Sequence, residues 1–155
     1  MTPTPFTRHR PHPDHPPEVR IAVVAAVAVG GAAGAAARYG AELLWPTGSA
    51  SFPWTVLLIN VVGCFLMGVL MVTVKLRLPG GHPLISPLLG TGVLGGFTSF
   101  SHYVDDVREL FEGGRPGYAL GCLLLTVVAA LAAVTVGAFA THALLGDRRD
   151  SREKA

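Results

Sequence analysis

The sequence predicts an all-α membrane protein with four transmembrane helices, the third of them broken in mid-membrane. Half of the 155 residues are hydrophobic and only 14% are charged, and mean hydropathy is +0.49. The charges avoid four windows, Ile21–Ala37, Phe52–Val74, Pro83–Val104 and Pro116–Gly146, each near or above the roughly 17–25 residues that cross a bilayer as a helix. Within the third window, the stretch Gly92–Tyr103 combines Gly95 and Gly96 with Thr98, Ser99 and Ser101. Adjacent glycines weaken a helix, and the hydroxyls offer the backbone competing hydrogen bonds. Main-chain carbonyls released there persist in hydrocarbon only where protein, water or an ion satisfies them, so the break is a candidate ion or substrate site.

The expected organisation is a disordered, Pro/His-rich cytoplasmic tail over 1–18, a membrane domain over 19–146 with spans near 20–44, 53–75, 83–111 and 116–145, and a charged tail over 147–155. The first tail holds six of the twelve prolines and almost nothing to bury. Its His9, His12 and His15 share no fixed face, so their spacing reads as solvated chain rather than a metal site. Arg8, Arg10 and Arg20 ahead of the first apolar run, with Ala35, Ala36 and Ala37 after it, also fit a cleavable leader. Three further spans favour a retained first helix.

The first span carries Gly30, Gly31 and Gly34 in a small-xxx-small pattern that admits another backbone closely. Arg38, which ends the run, reads equally as a snorkelling anchor or as a buried structural or anion-attracting charge. The second span opens on Phe52, Pro53 and Trp54 and holds one amide, Asn60, among Leu57, Leu58, Ile59, Val61 and Val62. An isolated Asn there must find a partner, either as glue between helices or as a replacement for water around an anion. Gly63 and Gly68 imply tight packing, and Lys75 and Arg77 end the span. The third window ends at Asp105, Asp106, Arg108 and Glu109. The fourth, starting near Pro116, has Thr126, Thr135 and Thr141 as its few polar groups, of which only Thr126 lies early enough to share the depth of a pathway. Cys64 and Cys122 lie inside apolar runs and read as packing residues, not a disulfide.

Taken in order, Gly30-Gly31-x-x-Gly34-Ala35-x-x-Arg38-Tyr39, Leu57-Leu58-Ile59-Asn60-Val61-Val62-Gly63 and Gly92-x-x-Gly95-Gly96-Phe97-Thr98-Ser99-Phe100-Ser101 resemble the small bacterial Fluc (CrcB-type) fluoride channels. The resemblance covers all four windows and omits only the tails. It implies a dual-topology dimer of antiparallel subunits whose broken third helices cross at the centre. It further implies a structural Na+ held there by main-chain oxygens at Gly95 and Thr98 of both subunits, and a fluoride pathway along Asn60, Phe100, Tyr103, Ser101 and Thr126. Arg38, Gly30, Gly34 and Gly96 take structural roles by the same resemblance. Released carbonyls are hard ligands suited to a small cation, and a two-fold axis doubles two oxygens to four. Aromatic ring edges carry the positive side of the quadrupole and can face an anion. The chain departs from the family pattern at Tyr103, where Phe is usual, at Thr55-Val56, where Gly-Thr is usual, at His102, where a small polar residue is typical, at Asp106, where Glu is usual, and at Cys122, where Tyr often stands.

With four spans, both tails and the second loop share one side and carry nine cations, against Arg38, Arg108 and Arg115 on the other. That bias predicts both termini in the cytoplasm of a bacterial cell and a single orientation. A single orientation opposes an antiparallel homodimer and favours pairing with a related subunit of opposite bias. The expected function is passive fluoride export, which lowers fluoride toxicity. A non-conducting partner subunit of such a channel is the second reading. A proton-coupled small multidrug-type transporter is a weaker third, because Glu42, Asp105, Asp106, Glu109 and Glu112 all stand at span ends and none is membrane-embedded. No Ser-His-Asp set, phosphate loop or metal-ligand cluster suggests an enzyme, and nothing suggests a nucleic-acid partner.

Overall fold

A computed structural model describes residues 17–48, 51–78 and 81–153. The chain runs through α1 (Pro17–Leu44), α2 (Trp54–Arg77), a π-helical arm (Ser86–Leu94) that continues directly into α3 (Gly95–Phe97), α4 (Phe100–Glu112) and α5 (Pro116–Glu153). Glu18–Leu44, Trp54–Arg77 and Pro116–Gly146 are each long and apolar enough to cross a bilayer, so this is an all-helical membrane protein. The third window is divided. Its arms, nine residues of π-helix and thirteen of α4, are each shorter than a spanning helix.

Boundaries follow local chemistry. Helix α1 opens on Pro17, a residue whose missing N–H costs nothing in a first turn. Helix α2 ends at Arg77, as its closing cations suggest. Helix α5 passes the expected boundary at 145 and continues to Glu153. Gly146 does not stop it, since one interior glycine costs a helix only about 1 kcal/mol. The Pro/His-rich stretch 1–16, with its three histidines, lies outside the described residues.

Small residues bring the helices together backbone to backbone. A Cβ at Gly30 would fall on Leu88 O and lie 3.0 Å from Gly92 Cα; one at Gly34 would fall on Val93 O and lie 2.8 Å from Phe97 N. Gly96 answers from the other side, facing Gly31 O. The second seam joins α2 to α5: a Cβ at Gly68 would fall on Val134 O and lie 2.9 Å from Ala138 N, and one at Gly137 would fall on Phe65 O. A third cluster seats Tyr103, Val107 and Leu110 of α4 on Ala119 and Cys122 of α5, with Phe52 and Val56 against it. Both cysteines are free thiols within helices, Cys122 fully buried. Large apolar side chains such as Leu124, Leu131 and Phe139 point outward, as lipid-facing positions do.

Candidate functional site

The break falls at Thr98 and Ser99, two consecutive extended residues with φ −75°, ψ 155° and φ −141°, ψ 115°. The glycines before it do not bend the chain: Gly95 has helical torsions of φ −64°, ψ −36°, and Gly96 serves to admit α1. What ends the helix is a competition for donors. Leu94 O accepts from Thr98 N at 3.1 Å and from Thr98 Oγ1 at 3.2 Å. Ser99 N, which a continuous α-helix would direct to Gly95 O, donates instead to Asn60 Oδ1 at 2.9 Å. Asn60 Nδ2 returns a bond to Ser99 O at 3.2 Å. One side-chain amide thus supplies both hydrogen bonds that a neighbouring strand would give an extended residue. Ser99 Oγ then caps α4 by accepting from His102 N at 3.2 Å. Gly63 makes room for the turn, since a Cβ there would fall on Thr98 Cγ2.

Gly95 O is therefore released from the ladder, and the ψ of Thr98 swings its carbonyl away from the helical direction. Gly95 is exposed, and beyond its chain neighbours only Gly90 O, at 3.7 Å, approaches the space a Cβ would take. Gly96 O faces the other way and accepts from Arg38 Nε at 3.5 Å. Arg38 is largely buried and is held by several partners. Its side chain is only 19% exposed, and Nη1 lies 3.3 Å from Glu42 Oε1 and 3.2 Å from His102 Nδ1. His102 Nδ1 is in turn 2.9 Å from Glu42 Oε1.

The expected pathway residues divide between two faces. Asn60, Tyr103 and Thr126 are buried. Thr126 differs from the other threonines of its helix. Thr135 and Thr141 donate back to Leu131 O and Gly137 O, each at 2.7 Å. Thr126 Oγ1 is buried with no nitrogen or oxygen partner among the described residues, beside the Cys122 thiol. Phe100 and Ser101 stand instead on the outer surface, Phe100 at 78% exposure. The Phe100 and Tyr103 rings still meet, with centroids 5.9 Å apart and tilted by 54°. The Tyr103 hydroxyl is committed to Leu123 O at 2.8 Å. Tyr103→Phe is thus expected to change any ion flux by less than about threefold, losing one neutral hydrogen bond of about 1 kcal/mol. Flux assays of the two proteins side by side check this.

A cleft of about 240 Å³, lined by Glu42, Trp45, Thr47, Thr55, Val56, His102, Asp105 and Asp106, opens beside the second arm. Asp106 Oδ2 is buried without a hydrogen-bond partner among the described residues. The Thr55 hydroxyl, which donates to Trp45 O at 2.6 Å and accepts from Thr47 Oγ1 at 3.0 Å, ties the loop after α1 to α2. Glu42 and Thr55 were not singled out from the sequence as site residues. The four-residue spacing of Arg38 and Glu42 was the available signal for the first. The site offers amide, hydroxyl, ring-edge and carbonyl groups. Among the described residues no cluster of His, Cys, Asp and Glu is arranged to hold a metal.

Comparison with known proteins gives a consistent result. Residues 25–138 match the family model described as CrcB-like protein, Camphor Resistance (CrcB). A fluoride-specific ion channel, FluC 1, of Streptomyces coelicolor is 51% identical over 123 residues, 79% of each chain. The FluC 2 channel of Streptomyces avermitilis is 52% identical over 105 residues, 68% of this chain and 66% of its own length. The FluC 2 channel of Thermobifida fusca is 48% identical over 132 residues, 85% of this chain and 96% of its own.

Proposed function

The chain belongs to the CrcB-like family, and from that premise we propose that it is a passive fluoride-selective channel of the bacterial cell membrane, releasing fluoride from the cytoplasm. The relatives are ion channels, not enzymes, and the proposal needs no catalytic residue. The observation that carries it is the break at Thr98–Ser99, fixed by Asn60 at 2.9 and 3.2 Å. In support of this reading, the buried Asn60 amide of α2, Tyr103 of α4 and the Thr126 hydroxyl of α5 line the inner side of the broken segment, while Phe100 and Ser101 offer a ring and a hydroxyl on its outer side. Fluoride is small and strongly hydrated, so several weak donors in succession can replace its water without trapping it.

In this reading two subunits pack antiparallel through their broken segments. The openness at Gly95 and the exposure of Phe100 support a partner on that face. The carbonyl oxygens of Gly95 and Thr98 from both subunits would hold a Na+, and the donor set fits, because peptide oxygens freed from a helix are the hard neutral ligands a small cation takes. When bound, the ion supplies a fixed positive charge at the centre. This chain's own residues do the rest: Asn60 holds the opening, and the Thr126 hydroxyl, with only the Cys122 thiol beside it, can turn toward a passing anion.

The cation bias, nine against three, supports a cytoplasmic location for both termini and a paralogue of opposite orientation as the second subunit. A non-conducting partner subunit is the second reading. The commitment of Tyr103 Oη to Leu123 O and the lack of hydroxyls at Val56 and Cys122 favour it. Growth discriminates between the two. In bacteria lacking their own fluoride exporter, this chain with its paralogue should restore growth in fluoride. Substituting Asn60 only in this chain should cancel the rescue if its own pathway conducts and spare it if the partner's pathway alone does. No rescue by any combination would end the fluoride reading.

A further inference from the structure

We propose that α1 is a splint across the broken segment, with Glu42 and His102 as the positioning residues that hold its second arm; the functional part of this inference rests on the conduction reading above. The argument begins with spacing. Gly30, Gly34, Arg38 and Glu42 recur every four residues and so form one face of α1. Each meets the third segment in turn. Gly30 lies against Leu88 and Gly92, and Gly34 against Val93 and Phe97, all before the break. Arg38 Nε reaches Gly96 O two residues short of it. Glu42 Oε1 meets His102 Nδ1 at 2.9 Å, beyond it in α4. One face of one continuous helix therefore grips both arms.

A break with two extended residues is a hinge unless something fixes the angle between the arms. Asn60 fixes Ser99 itself and α5 seats Tyr103, Val107 and Leu110 of α4, but neither of these ties α4 to α1, the helix that also carries the first arm. The Glu42–His102 pair acts three residues into α4, where a small swing becomes a lateral displacement of Tyr103. An imidazole nitrogen has one role at a time. With Nδ1 donating to Glu42, one carboxylate oxygen gathers both the Arg38 and the His102 donors, so Glu42 is the hub. The side chains are 19, 23 and 46% exposed for Arg38, Glu42 and His102, so the triad is shielded more than a free surface pair. A small side chain at position 102 would not reach the Glu42 carboxylate, which His102 Nδ1 meets at 2.9 Å.

The geometry makes an uncommon demand on a swap. Arg38 Nη1 is 3.3 Å from the Glu42 side chain and 3.2 Å from that of His102. A carboxylate at either position would therefore still neutralise the guanidinium. Spin labels on Leu89→Cys in the first arm and Arg108→Cys in α4, both exposed, in a background with Cys64→Ala and Cys122→Ala, report the angle between arms in membranes. Labelled chains are diluted with unlabelled ones so that one subunit is read. E42A and H102A should each broaden the distance distribution, and E42H/H102E should narrow it again. In vesicles carrying the native-cysteine chain together with its paralogue, fluoride flux should fall about tenfold or more in each single variant and recover to within about threefold in the swap, the size expected for a charge-assisted bond. Single variants with unchanged distributions, or a swap as broad as the singles, would overturn the splint. Distances that follow the expectation while no protein conducts, the unaltered chain included, would leave the splint standing and end the conduction reading instead.

Discussion

Asn60→Asp is expected to abolish fluoride flux, a loss of at least about a hundredfold, or about 3 kcal/mol in the barrier to passage. The amide makes two bonds of opposite sense, accepting from Ser99 N at 2.9 Å and donating to Ser99 O at 3.2 Å. A carboxylate keeps the first and turns the second into a repulsion between two oxygens. It also puts a negative charge at a position only 8% exposed, where a buried unpaired charge is expensive and repels the very anion that is to pass. Asn60→Ala separates the two effects. It leaves Ser99 N without its partner, at a cost of about 1–3 kcal/mol, while adding no charge. Flux from vesicles containing equal amounts of each folded protein gives the answer. Undiminished flux through Asn60→Asp would reduce Asn60 to a packing residue and remove the role assigned to its amide.

The largest structural effect is expected from Gly34→Leu. Any Cβ at this position falls on Val93 O and within 2.8 Å of Phe97 N. Both are backbone atoms of the arm that leads into the break, and neither can rotate away. Overpacking costs about 1–3 kcal/mol even where side chains yield, and here α1 must be pushed off its seam. Gly31→Leu is the matched control, because nothing lies within 4 Å of its Cβ position. The fraction of protein that is monodisperse after extraction, and its melting temperature in detergent, should collapse for Gly34→Leu and stay near the parent value for Gly31→Leu. Equal melting of the two would contradict the close backbone seam between α1 and the third segment.

Long uncharged windows, the small-residue stripe on α1 and a break inside Gly92–Tyr103 were legible because each depends on local composition. The mechanism of the break was not. Composition marks Gly95 and Gly96 as the weak point, yet they stay helical, and the extended residues are Thr98 and Ser99. The decisive donor, Ser99 N, is captured by an amide 39 positions away, which no window of sequence contains. Arg38 illustrates the same limit, since its partners Gly96 and His102 are 58 and 64 positions distant. Thr126, Thr135 and Thr141 are chemically identical in the sequence. Only their neighbours leave one beside a thiol with no nitrogen or oxygen partner among the described residues and make the other two self-satisfied. The π-helical winding of Ser86–Leu94 had no sequence signal.

The central claim is that a broken third segment, held open by Asn60, conducts fluoride and rejects other halides. Its most direct test is the release of fluoride and chloride, followed with ion-selective electrodes, from vesicles loaded with both and carrying this chain together with its paralogue. Rapid fluoride loss with chloride retained, and neither ion lost when Asn60 is replaced by Asp in both subunits, is the predicted result. Chloride leaving as fast as fluoride, or fluoride held as well as in protein-free vesicles, would contradict it.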